Sequence, residues 1–263
     1  MSAWQPTDCH AHSRHSDGAL TVAEVVERAA RLGVRPSITD HISRDAPTEV
    51  SSPEAVARYL DDLEHYPVLR GGEFCWHDAL WRELPDATVR RFTHRVGSLH
   101  SIRLASGLLF RAFSSELPTS LTARVYIDAH VSSLESLAAE MPVDILAHPT
   151  LVPPPLRLLD PLELWTEAHE ERAVRALKSA GIAFEISARY PPHERIVRRA
   201  AEAGVRLSLG SDGHRADQVA NVAAPLELAR RLGVADEALY DPERHGSRTG
   251  AYAPHAAAEG RRA

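Results

Sequence analysis

Lysine is almost missing from this 263-residue chain: it occurs once, as Lys178. A metal-bridging lysine has only that position to come from, and it falls inside a predicted helix. Cysteine is scarce as well. Cys9 and Cys75 are too few for a disulfide framework and are expected to be reduced, buried thiols. No run of 18 apolar residues is present, so no membrane span is expected. The opening Met-Ser-Ala-Trp-Gln-Pro has neither the basic nor the apolar region of a signal peptide, which makes a cytoplasmic location the default expectation. Positive charge is not in surplus either, since the formal net charge is −6. Affinity for nucleic acid rests largely on Lys and Arg neutralising phosphates, so a long polynucleotide partner is disfavoured. A small phosphorylated substrate needs only a local positive site, which bound cations can supply. There is no internal repeat of fixed period and no linker that would divide the chain. One domain over 1–263 is expected, with loosely ordered tails at 1–6 and about 250–263.

Apolar residues make up 44% and charged residues 25%, the balance of a globular protein. The length suits one large core. Short apolar runs of strand type recur near 7–12, 35–39, 67–74, 94–99, 143–147, 182–187 and 205–210. Helical stretches fill the gaps. The stretch 21–33 opens on a Thr21/Glu24 capping box and closes on Gly33. The stretch 53–65 has Ser52 as N-cap and Pro53 at its first position. Helical periodicity also marks 133–140, 162–180, 193–203 and 216–232, whereas 101–129 is mixed and is expected to be a partly helical lid. Strands alternating with helices indicate parallel βα units, rolled into a barrel or an open doubly wound sheet.

Several of the 15 histidines follow this grammar. His10 and His12 end the first run, Asp40 and His41 the second, Glu73 the third, His100 the fourth and His148 the fifth. Glu185 lies within the sixth run, and Asp212 and His214 follow the seventh. In parallel α/β barrels the site is assembled from the C-terminal strand ends, so these residues would meet at one mouth. A His-x-His pair places both imidazoles on one strand face, because strand side chains alternate with period two. Imidazole and carboxylate without paired thiols suit Zn, Mn or Fe(II) at a catalytic centre. A bridging carboxylate can hold two such cations and create hydroxide near neutral pH.

The motifs behind these residues resemble, in order, those of the polymerase and histidinol phosphatase (PHP) superfamily. The segment Asp8-Cys-His10-Ala-His12 through Asp17 to Thr21 is similar to its first motif and Ile38-Thr-Asp-His41 to its second. Gly72-Glu73 and Gly97-Ser-Leu-His100 resemble the third and fourth, and Asp144-Ile-Leu-Ala-His148-Pro149 and Gly210-Ser-Asp212-Gly-His214 the later ones. The resemblance implies a distorted (β/α)7 TIM-like barrel with three divalent metal ions (Zn, Mn or Fe). It implies a first ion on His10, His12, Glu73 and Asp212, and a second on His100 and His148, with Glu73 bridging. A third would take Asp17, His41 and His214, with His15 as the alternative to Asp17. Glu73, Asp212 and Arg189 would be the catalytic residues. Within the superfamily the sixth run, Phe184-Glu-Ile-Ser-Ala-Arg189, is similar to the histidinol-phosphatase branch, in which the arginine can bind phosphate. Ser187 stands where Asn is frequent, and Thr150 where an acidic residue often follows the His-Pro pair.

The implied activity is hydrolysis of a small phosphate monoester, histidinol phosphate or a similar metabolite, by a metal-bridging hydroxide. Arg44 and Arg103 are weaker candidates for phosphate contact. Glu185 is expected to orient a ligand histidine. His193, His15 or a metal-bound water could protonate the leaving alkoxide. Rival readings are a nuclease-like member acting on nucleotides or short oligonucleotides, and a non-catalytic metal-binding module. An amidohydrolase-type barrel fits poorly for want of a bridging lysine.

Overall fold

The structure, a computed structural model, describes residues 4–246. Its elements start where local chemistry dictates. Thr21 accepts from the Glu24 N–H at the head of the helix Val22–Leu32, the Glu24 carboxylate returns to the Thr21 N–H, and Gly33 closes the helix at φ 65°. Ser52 accepts from Ala55 at the head of Pro53–Leu63. Buried Val22, Val25 and Ala29 mark the inward stripe of the first helix.

All seven expected runs contain strand. They supply β1 (Thr7–Asp8), β2 (Arg35–Ile38), β3 (His41–Ile42), β4 (Leu69–Arg70), β5 (Glu73–Cys75) and β6 (Val96–Ser98). An antiparallel hairpin follows, β7 (Ser101–Arg103) with β8 (Leu109–Arg111). Then come β9 (Ile145–Leu146), β10 (Ala183–Ser187) and β11 (Leu207–Gly210). One parallel sheet has the order β1-β2-β4 and the other β11-β10-β9-β6-β5-β3. The second and third runs each contribute a strand to both sheets. Once the hairpin is set aside, neighbouring strands follow one another in the chain except where the two sheets interleave, β3 falling between β2 and β4 and β4 between β3 and β5. The first and last runs meet as well: Cys9 N–H donates to the Leu209 carbonyl at 2.8 Å, Asp212 N–H donates to the His10 carbonyl at 2.8 Å, and Ala11 forms a parallel bridge with Gly213.

Along β10 the side chains split by parity. Phe184 and Ile186 join the large core, whereas Ala183 joins a second, small cluster with Cys9, Val96, Ile145, Ala147 and Tyr240. Glu185 shares its parity with Ala183 and is therefore carried onto the sheet face away from the large core.

Three differences from the sequence reading have local causes. The segment expected to be a partly helical lid begins as the hairpin, turned at Gly107 with φ 84°; its helix, Ala123–Glu140, starts at the Thr122 cap. The expected helix over 162–180 is two, Pro161–Leu164 and Glu167–Ala180, because Thr166 caps the second one afresh. The last expected helix begins later, as Ala223–Arg231. Of the expected loose tails, residues 4–6 are described: Trp4 packs on the core and the Pro6 carbonyl accepts from the Arg35 N–H. Residues 250–263 lie outside the described residues. Among the described residues no helix is long and apolar enough to cross a membrane.

Candidate metal centre

All nine expected ligands converge at the C-terminal strand ends, around Glu73. Its Oε1 lies 3.1 Å from His100 Nε2 and 3.3 Å from His148 Nε2. Its Oε2 lies 3.6 Å from His10 Nε2 and 3.7 Å from His12 Nε2. Asp212 Oδ1 approaches His12 Nε2 at 3.4 Å and His10 Nε2 at 3.9 Å. Asp17 Oδ1 lies 3.2 Å from His214 Nε2 and 3.5 Å from His41 Nε2. Three groupings have ligand atoms close enough for one ion each: His10–His12–Asp212, His12–Asp17–His41–His214 and His41–Glu73–His100. His148, expected beside His100, joins none of the three, and His41 stands in its place with Glu73 and His100. His12 belongs to two groupings because its Nδ1 faces Asp17 at 3.7 Å while its Nε2 faces Asp212. His41 belongs to two as well, with Nδ1 2.7 Å from Glu73 Oε2.

The donors are poorly satisfied by one another, as a set of side chains that holds cations would be. Glu73 Oε2 and His41 Nδ1 are buried and lack a hydrogen bond, although they are close, because they are not aligned for one. His10 Nε2 and His12 Nε2 face each other at 3.1 Å. Buried polar atoms normally have partners, and lone pairs converging from several imidazoles and carboxylates fit divalent cations. His148 and Asp212 stand at φ 30° and 47°, in the left-handed region that side chains other than glycine rarely enter.

Electrostatics set the charge states. Burial opposes ionisation of Glu73, but His100, His41 and His10 outweigh it and hold the carboxyl well below its usual range. Asp212 is likewise held low against burial, chiefly by His10 and by contact with His12. Burial, followed by the neighbouring His41, pushes His12 down to about 3, so its ring stays neutral.

Supporting residues fix this array. Glu185 Oε1 accepts from His10 Nδ1 at 2.7 Å and its Oε2 from the His148 N–H at 2.5 Å, which gives it the orienting place read from sequence. Gly210 makes room for it, since a Cβ there would lie 2.0 Å from Glu185 Oε1. Asp40 accepts from the Ser13 N–H and hydroxyl at 2.7 and 2.6 Å and from the Ser16 hydroxyl at 2.5 Å, pinning the loop after the His-x-His pair. Asp8 does the same for Ser211, at 2.8 and 2.6 Å. Cys75 Sγ lies 3.1 Å from His100 Nδ1. The sequence marks Cys75 as a buried thiol close to Glu73, and their two-residue spacing on one strand is the signal that places both on the same face.

A cavity of about 400 Å³ opens over the cluster. Arg189 lines it, with Nη1 on His214 Nδ1 and 3.4 Å from the Asp212 carbonyl. Arg111, His77 and Tyr190 line it too and were not singled out in the sequence. His15, by contrast, is engaged with Asp62 at 2.8 Å and joins no grouping. Arg44 is spent on a two-pronged pair with exposed Glu83, at 2.8 and 2.7 Å. Arg103 lines a different cavity, beside Trp76, and His193 lines a third, beside Arg189.

Searches against family models and curated proteins returned no match. Solved structures do match. One is a Listeria monocytogenes protein provisionally named the histidinol phosphatase hisK: 14% identity, TM-score 0.68, covering 83% of this chain and 99% of that one. Another is the histidinol phosphate phosphatase of Lactococcus lactis subsp. lactis, solved with Zn, L-histidinol and phosphate: 16% identity, TM-score 0.64, covering 89% of this chain and 95% of that one. At these identities what this chain shares with the two histidinol phosphatases is the fold.

Proposed function

We propose that this protein is a phosphoric monoester hydrolase with three divalent ions, built as one domain on a closed, distorted (β/α)7 barrel. Closure is supported by the hydrogen bonds and the bridge between the first and last runs. The observation that carries the reading is Glu73. Its two oxygens face different imidazole sets, His10 and His12 on one side and His100 and His148 on the other, as a bridging ligand requires. Asp212 completes the first set, and Asp17, His41 and His214 form a third beside them.

Bound there, Zn, Mn or Fe would supply hydroxide near neutral pH and neutralise charge on a phosphate. Arg189 offers its planar fork to the non-bridging phosphate oxygens. Phosphoryl transfer depends on positioning and charge neutralisation, and this rigid, buried donor array suits both. The Lactococcus protein's histidinol and phosphate are consistent with a small phosphorylated substrate, which makes histidinol phosphate one of the monoesters to test.

The test is phosphate release by metal-reconstituted protein from histidinol phosphate, phenyl phosphate, nucleoside monophosphates, 3′,5′-bisphosphates and a short RNA. Hydrolysis of monoesters, lost in Glu73→Gln while the fold survives, is expected. Turnover of the RNA alone, or full activity in Glu73→Gln, contradicts the reading.

A further inference from the structure

We propose that a second cavity, adjoining the metal centre, receives the organic half of the substrate and selects an apolar or aromatic alcohol over one carrying an ammonium group. This rests on the phosphomonoesterase reading above. The cavity measures about 330 Å³ and shares Arg189 and Tyr190 with the cavity over the metal cluster. A phosphate held on the Arg189 fork therefore presents its ester oxygen at the boundary between the two. Leu156 and Trp165, both almost fully buried, supply apolar walls together with Tyr190. A benzene ring needs on the order of 150 Å³, so the space is ample for one.

Charge sets the preference. The Arg157 guanidinium stands 5.0 Å from the Tyr190 ring centroid, and that of Arg189 stands 5.5 Å from the same ring. No Asp or Glu lines the cavity among the described residues. The carboxylate behind it, Glu170, is taken up by Arg195 at 2.8 Å and Arg199 at 3.1 Å. The other carboxylate near His193, exposed Asp160, accepts from the Leu162 N–H at 2.8 Å and is not part of the lining. An ammonium group entering here would meet two guanidinium groups and no carboxylate of the cavity wall. His193 lines the cavity as well: its side chain is 9% exposed, neither ring nitrogen has a hydrogen bond, and Nε2 faces Glu170 Oε1 at 3.5 Å. Aromatic walls and two cations thus suit an uncharged or anionic aromatic group. Histidinol phosphate carries an ammonium group and is expected to be a poor substrate beside phenyl phosphate.

Phosphonates, which are not hydrolysed, separate recognition from turnover. Calorimetric titration of metal-loaded protein with phenylphosphonate, 3-aminopropylphosphonate and inorganic phosphate is the experiment. Phenylphosphonate is expected to bind at least about tenfold more tightly than the aminopropyl compound. Leu159, which lines the same cavity and is 45% exposed, can be changed to Glu to place a carboxylate there. Leu159→Glu should move the affinity ratio at least about tenfold toward the aminopropyl compound. Should that variant not fold, the wild-type ratio decides alone. Aminopropylphosphonate binding as tightly as phenylphosphonate, or a ratio indifferent to Leu159→Glu, overturns the proposal while phosphatase activity stands. Failure to bind phosphate or any phosphonate, with no phosphate released from any ester, overturns both.

Discussion

Glu185→Gln removes one carboxylate oxygen from a side chain that serves two partners. In the native protein Oε1 accepts from His10 Nδ1 and Oε2 from the His148 N–H. Gln keeps one acceptor and turns an NH2 toward the other partner. Facing His148, it opposes an N–H with an N–H and leaves that backbone donor unpaired, at about 1–3 kcal/mol of stability. Facing His10, it favours the tautomer with the proton on Nε2, the nitrogen that points at His12 and Glu73. Loss of the charge-assisted bond costs about 1.5–3 kcal/mol, in line with the roughly 10–100-fold drop in metal affinity seen when such orienting partners are removed. Zn competition against a chromophoric chelator reads the affinity, and a thermal melt reads the fold. Gly210→Ala should reproduce the loss without touching a ligand, because its Cβ would lie 2.0 Å from Glu185 Oε1 and 3.0 Å from His10 Cβ. Wild-type Zn affinity in both variants would refute the orienting role.

The remaining predictions concern neighbouring parts of the same architecture. Asp17→Asn should lower the bound metal by about one equivalent, whereas His15→Gln should not, since His15 is engaged with Asp62; equal effects in elemental analysis would contradict the assignment. Cys75→Ala should weaken the ion on His100 by up to about tenfold, and Cys75→Ser should retain it, because Ala leaves Nδ1 only the long 3.5 Å contact with Ser98 Oγ. Burial lowers both His94 and His130 from 6.5 to about 4. Both are neutral in the native state, so their contribution is complete above pH 6.5 and is lost as pH falls through that value toward 4, by up to about 3 kcal/mol each. Urea unfolding of the metal-free protein at pH 7 and 4.5 should show the fall, and His130→Gln should make it shallower; an unchanged slope would contradict this.

The ligand-bearing strand ends were legible because three rules coincide in them: period-two alternation, apolar runs closed by His, Asp or Glu, and helices punctuated by Thr21 and Gly33. His10, Glu73, His148 and Asp212 could thus be placed together although they lie far apart in the chain. The hairpin at 101–111 was not legible, because two three-residue strands give too little alternation and only Gly107 marks the turn. The break at Thr166 was masked by continuous helical periodicity on both sides. Cys75 and the second cavity escaped for another reason: each depends on tertiary contacts, His100 across the sheet and a 3₁₀ segment at Pro154–Leu158 folded toward Tyr190.

Whether Glu73 joins ions into one hydrolytic centre is tested most directly by titration of metal-free protein with Zn or Mn, reading phosphate release against bound metal. Activity should rise as the occupied sites approach three per chain and should stay absent in Glu73→Gln at any metal concentration. Phosphate release by the metal-free protein, or a metal-saturated protein that releases none from any monoester, would contradict it.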